Sequence, residues 1–222
     1  CTASASVAVS TPVLVVSNPF FNCYCNTVNA GGAGSLMDII SMNGYTNNTA
    51  ATNPTASPFY TAFTNGPSVI QGMDYTLDVT VQAPSIYTGA IVSVWIDYDH
   101  NGAYEPTEWT QVGTNIASGS TGSVNITIPI TALTGNTGMR VRSRGAFNQN
   151  GAGDACTNMG SGETEDYVIN ILPAPNCANP TNIVVNTEID SILTTWSWNQ
   201  TILPSTGFNM QLVNTGSAFN TG

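Results

Sequence analysis

The sequence predicts an all-β chain, built of tandem β-sandwich domains of jelly-roll or immunoglobulin-like type with long loops. Three observations predict it. Runs of β-branched, aliphatic and aromatic residues alternate with polar ones at the two-residue period of a half-buried strand. Clusters of Gly, Pro, Asn, Ser and Thr separate those runs. Charged residues make up only 7% of the chain and apolar residues 41%, whereas disordered segments combine high charge with few apolar groups.

Composition also bounds the partners. At 222 residues there is room for one large or two small domains with a real core. The chain has no lysine; Arg140, Arg142 and Arg144 are its basic residues, and thirteen acids against them give a net charge of −10. So acidic a surface repels phosphates and anionic lipid, which excludes nucleic acid as a partner. No apolar run reaches the length of a membrane span, so membrane insertion is not expected. Five cysteines (Cys1, Cys23, Cys25, Cys156, Cys177) point to an oxidising, extracellular compartment, with two bridges and one cysteine left over. No secretory leader is visible, and the chain reads as part of a longer exported protein.

In order, residues 1–17 alternate small or apolar with polar residues until Asn18-Pro19 breaks them, as a strand would. Turn residues dominate 20–68, where short strands and long surface loops are expected around one apolar run, 36–42 (LMDIISM). Tyr75, Leu77, Val79 and Val81 then face one way, with Thr76, Asp78 and Thr80 opposite. Residues 89–98 (GAIVSVWIDY) read as a strand, and the return strand begins at Trp109. Val124, Ile126, Ile128 and Ile130 alternate with Asn125, Thr127 and Pro129, a half-buried strand whose proline puts its end near an edge. Met139, Val141 and Ser143 alternate with the arginines, which places all three guanidinium groups on one sheet face. Residues 162–172 (GETEDYVINIL) carry Glu163, Glu165 and Asp166 into a strand whose Tyr167, Ile169 and Ile171 share a face. Pro173-Ala174-Pro175 then punctuates the chain, and strands are expected at 182–185, 192–198 and 207–213.

The chemistry concentrates at 97–108, DYDHNGAYEPTE. Asp97, Asp99 and Asn101 take positions 1, 3 and 5 of a twelve-residue calcium loop, Gly102 position 6 and Glu108 position 12. Alternate side chains of such a loop turn inward, the glycine permits the sharp bend, and the last glutamate chelates with both oxygens. Ala103 would add its carbonyl, and Glu105 would bind directly or through water. The competing reading is a solvated acidic turn. A strand precedes this loop where an EF-hand has a helix, so the expectation is a Ca2+ loop mounted on a sheet, with ion binding acting as folding energy.

Gly162-Glu163-Thr164-Glu165-Asp166-Tyr167 resembles the signature of the GEVED domain of secreted, Bacteroidetes-type bacterial surface proteins. Val94-Trp95-Ile96-Asp97, Arg140-Val141-Arg142 and Cys156 follow that family's order. The similarity is good over 95–171 and weaker back to Tyr24-Cys25. Thr164 stands where the family usually has valine, and Asn101 and Ala103 where further acids are frequent. The resemblance implies a β-sandwich module without catalytic residues, in large exported proteins beside fibronectin-like and immunoglobulin-like repeats. Residues 1–17 resemble the last strand of such an immunoglobulin-like repeat, and the tail resembles the opening half of a fibronectin type III domain. The expected division is 1–19, 20–173 and 174–222.

Glu163, Glu165 and Asp166 are the natural complement of Arg140, Arg142 and Arg144, either as a partly buried bidentate network or as unrelated exposed groups. Cys23 and Cys25 are too close to pair with each other. Cys25 with Cys156 is the favoured bridge; Cys177 is left for a partner beyond Gly222, and Cys1 for Cys23 or another chain. His100 lies at loop position 4, pointing away from a bound ion, and reads as a solvated residue and not a general base. Carboxylates beside a cation would stay ionised, so Glu108 and Glu163 do not read as a glycosidase pair. The N-x-Thr sequons at Asn47, Asn125 and Asn199 read as ordinary surface. The function expected is a non-catalytic, calcium-stabilised structural or adhesive segment of an exported cell-surface protein or filament. Its partners would be neighbouring domains, copies of itself, surface glycans or host-surface targets. The alternative is an ancillary carbohydrate- or protein-binding module of a secreted hydrolase.

Overall fold

The computed structural model describes residues 19–25, 31–32, 34–82, 88–175, 181–187 and 192–197. The strands expected at 1–17 and 207–213, the pairing of Cys1 and Cys177, and Asn199 lie outside them. The chain divides into two compact units, Cys1–Ala174 and Pro175–Gly222.

In the first unit the strands are β1 (Leu36–Met42), β2 (Tyr45–Asn48), β3 (Tyr60–Phe63), β4 (Ser68–Ile70), β5 (Asp74–Gln82), β6 (Ala90–Ile96), β7 (Trp109–Ile116), β8 (Thr121–Thr127), β9 (Gly135–Gly145) and β10 (Thr164–Leu172). They form two sheets, one ordered β2-β1-β5-β8 and the other β3-β10-β9-β6-β7, with β4 also along β10. Pairing is antiparallel except that β3 and β4 run parallel to β10. The inner faces meet in one core: Met37, Ile40, Leu77, Val79 and Val81 from the first sheet face Val92, Val94, Ile96, Met139, Val141, Tyr167, Ile169 and Ile171 from the second. This unit is all-β, two sheets in a sandwich.

The two sheets differ in how the two-residue period is used. In β5 the core side chains alternate with Thr76, Asp78 and Thr80, which bond across the outer face to Asn125, Ser123 and Thr121. Polar outer rungs of this kind suit a sheet with one face in solvent. The second sheet is covered on both sides. Its outer face packs Trp95 with Phe21, Tyr24, Ala62, Tyr104 and Ala155 in a second apolar cluster, which explains why β6 is apolar along almost its whole length. Ile130 departs from the sequence pattern: β8 ends at Thr127, Ile128 is fully buried, but Ile130 beyond Pro129 is 63% exposed.

In the second unit β11 (Thr181–Thr187) and β12 (Ile192–Ser197) form an antiparallel pair, with Thr187 opposite Ile192 and Thr181 opposite Ser197.

Candidate metal centre

Strand parity delivers the first ligand candidate. Val92, Val94 and Ile96 point into the core, so Trp95 and Asp97 point to the outer face, and the Asp97 N–H donates to Gly138 O at 3.0 Å. The chain then turns through His100 (φ +56°) and Gly102 (φ +81°), the left-handed region a glycine enters without Cβ penalty. The Asp97 carboxylate accepts hydrogen bonds from Tyr24 Oη at 2.7 Å, Gly102 N at 3.0 Å and Asn101 N at 3.2 Å. Asp99 accepts from Asn101 N at 3.2 Å and Asn101 Nδ2 at 3.1 Å. Glu108 closes the loop from the short 3-10 turn Pro106–Glu108: Oε1 accepts Tyr98 N at 2.7 Å and Oε2 accepts Glu105 N at 3.1 Å.

Asp97, Asp99 and Glu108 are thereby gathered, each offering a carboxylate oxygen within 4.8 Å of the others. Asn101 and Glu105 sit at the rim, bonded to one another (Nδ2 to Oε1, 2.6 Å), while Asn101 Oδ1 accepts Ala103 N at 2.8 Å. Burial presses the Glu108 carboxyl up to about 7, with Glu105 and the Asp97 charge adding to it, and burial likewise raises Asp97. The donor set is all oxygen and rich in carboxylate, which fits a hard cation of the calcium class. His100 is half-buried with Nε2 shielded from solvent, not the solvated residue the sequence suggested. Tyr24 is the functional neighbour that sequence reasoning missed. Its hydroxyl holds Asp97 and its ring stacks on Tyr104 of the loop at 4.7 Å, and the available signal was its position beside Cys25.

The arginine row lies on the same outer face, but it is not a ladder of ion pairs. Arg140 grips Asp166 with two bonds of 2.7 Å, the two residues standing opposite each other in register. Burial works against the Arg140 charge, and Asp166 more than offsets it, leaving the guanidinium pKa raised. Arg142 faces Thr164 and donates to its hydroxyl (2.9 Å), to Thr157 O (2.7 Å) and to Asp154 O. Arg144 donates to Gln149 O at 2.6 Å. With Arg140 to Ala155 O (2.9 Å), Trp95 to Ala152 O (3.0 Å) and Ser93 to Asn150 O (2.5 Å), these side chains clamp the loop after β9 through its carbonyls. A disulfide joins Cys25 to Cys156 with Cα atoms 5.8 Å apart, and Arg140 also donates to Cys25 O at 3.1 Å. Cys23 is disulfide-bonded as well.

Glu163 and Glu165 do not join the arginines. They share the parity of Tyr167, whose ring is in the core, so they turn into the sandwich while Thr164 and Asp166 turn outward. Glu165 accepts from Tyr167 Oη at 2.5 Å, and Glu163 Oε1 accepts from Met37 N. Asn47 of the first sequon donates its Nδ2 to that same Tyr167 hydroxyl at 2.9 Å.

Residues 91–170 match the GEVED domain. The GEVED match opens within β6 and closes within β10, so it takes in the acidic loop, the arginine row and the signature; Tyr24, Cys25 and the first sheet's β1, β2 and β5 lie outside it. Among solved structures, the CARDB domain of a Pyrococcus furiosus protein, in complex with di-metal ions, is similar over 48% of this chain and 84% of that one, at 13% identity and a TM-score of 0.27. No curated protein matches the chain. Among the described residues no helix is long and apolar enough to cross a membrane.

Proposed function

We propose that this GEVED-type sandwich is a non-catalytic, calcium-stabilised link in a large exported protein, serving as a structural or adhesive segment at the cell surface or in an extracellular filament. The observation that carries the reading is the convergence of Asp97, Asp99 and Glu108 within 4.8 Å at a strand end. Asp97, Asp99 and Glu108 would hold the ion, with Asn101, Glu105 and the Ala103 carbonyl completing the shell. A bound divalent ion neutralises clustered charge. The chain's own part is to fix the loop: Tyr24, Gly102 and Glu108 set its curvature before any ligand arrives. Because the ion would bind the folded loop only, its binding energy adds to folding energy. Neighbouring domains, copies of the same protein, surface glycans or host-surface targets are the partners such a link would meet.

The test is calorimetry on the chelator-stripped chain with and without CaCl2. Calcium is expected to raise the melting temperature, and Asp99→Asn or Glu108→Gln to remove that rise. A wild-type melting temperature indifferent to calcium and to chelator would overturn the reading. An ancillary binding module of a secreted hydrolase is the second reading. It is favoured by Phe147, an 85% exposed aromatic with φ +70° at a loop tip, where a sugar ring or peptide would stack.

A further inference from the structure

The sheet edges of the sandwich are not equally guarded. Natural edges are blunted by short strands, charges, prolines or bulges. At the ends of the two sheets β2 and β3 have four residues each, and β4 has three. β7 is longer, but its register against β6 slips at two places. β8 has none of these devices. Its seven residues, TGSVNIT, hold no charge and no proline. They run in unbroken register along β5, the one strand they pair with among the described residues.

The direction of its backbone follows from the bonds at either end. Val81 N donates to Ser120 O and Ile128 N to Met73 O. Antiparallel bonding alternates residue by residue, so Gly122, Val124 and Ile126 bond to β5. The N–H and C=O groups of Thr121, Ser123, Asn125 and Thr127 are therefore directed away from it. Those four side chains are exposed, while Val124 is half-buried and packed against the core at its margin.

We propose that β8 is a self-recognition edge, at which a second copy of this chain adds its own β8 in antiparallel register about Val124. The strand is nearly symmetric around that residue, as a two-fold contact requires. Thr121 then meets Thr127 of the second copy, and Ser123 meets Asn125. All four residues carry outward backbone groups, so every such pair exchanges two bonds, and the Thr–Thr and Ser–Asn side chains match as well. Val124 meets Val124 in the close, non-bonded kind of pair and loses its remaining exposure. Charge permits it too. A chain of net charge −10 needs a neutral surface to meet itself. The nearest acids, Asp74 and Asp78, lie one strand back on β5 with carboxylates accepting from Thr127 and Ser123 at 2.5 Å. Two such strands bury less than the roughly 1,200 Å2 of a standard interface. The contact is weak between single chains and adds up where copies are held in an array. This gives a surface to the reading in which copies of the protein are partners, and it holds whether or not the acidic loop takes an ion.

The test is sedimentation of the full chain in chelator, from about 10 μM to about 1 mM, so that the outcome is independent of calcium. A reversible dimer is expected at the upper end. Ser123→Pro removes an outward N–H at a position where an edge strand tolerates proline, twice per dimer, and should weaken association about tenfold or more. Ser123→Ala keeps that N–H and should associate as the wild type does. A chain that stays monomeric throughout overturns the proposal. So does a dimer that Ser123→Pro leaves equally strong, or that Ser123→Ala weakens as much, since the contact then lies elsewhere or in the side chain alone. Should Ser123→Pro fail to fold, Val124→Cys decides: copper–phenanthroline should cross-link it into a dimer across the two-fold axis, and a yield no higher than that of the wild type with its own cysteines overturns the proposal.

Discussion

Arg142 shows how one buried cation organises a loop. It makes no ion pair among the described residues; its partners are a hydroxyl and two backbone carbonyls. Burial, then the neighbouring Arg140 charge, pushes its pKa down, so the carbonyl bonds are what hold the charge in place. Truncation to alanine would orphan those carbonyls and leave a cavity under the loop. Arg142→Ala is expected to cost about 2–4 kcal/mol, as charged hydrogen bonds and buried partners are lost together. Arg142→Lys should recover little of it, because a point charge cannot reproduce the planar fork. Urea unfolding of the three chains measures this; a cost below about 1 kcal/mol, typical of a surface position, would contradict it.

At the scale of elements, the legible parts were those with a single-period signal. β5 reads directly because Leu77, Val79 and Val81 are buried and the residues between them are not. The acidic loop reads directly because its geometry depends on spacing within one short segment. β3 and β4 were not legible: they are short, lie among turn residues and gain their place by parallel pairing to β10, about a hundred residues away by sequence. The charge network was legible in part. Counting by two from Tyr167 puts Glu165 and Glu163 inside and Asp166 outside, so composition alone overstated the number of carboxylates available to the arginines. Long-range ties such as Tyr24 to Asp97 leave no periodic signal; the sequence's hint is the place of Tyr24 beside Cys25. The Cys25–Cys156 bridge closes a separation of 131 residues and fastens both coverings of the outer sheet face. Replacing both cysteines by serine is expected to destabilise the module by roughly 3–5 kcal/mol on the chain-entropy argument, read as a lower denaturant midpoint. An unchanged midpoint would show that the arginine clamps suffice.

For the whole molecule, buried acids set how stability follows pH. Burial first, then neighbouring carboxylates, raises Glu163 to about 9, and burial raises Glu165 and Glu108 to about 7, against an ordinary glutamate near ~4.3. In the calcium-free chain the folded state therefore retains protons that the unfolded state releases. Their contribution is complete below about pH 4.3 and is lost as pH climbs through 7 towards 9. The calcium-free melting temperature should fall over that range, while the increment added by CaCl2 should grow, since the ion takes ionised carboxylates. Scanning calorimetry at several pH values checks both slopes, and a calcium-free chain that gains stability from pH 5 to 9 would contradict them.

The placement of the basic residues has a consequence for resistance to proteolysis. A trypsin-like protease cleaves after lysine or arginine, and here every such bond lies within β9, hydrogen-bonded between β6 and β10 with Arg140 and Arg142 out of solvent. No loop of this chain offers that class of enzyme a foothold, so digestion waits until the central strand itself comes free.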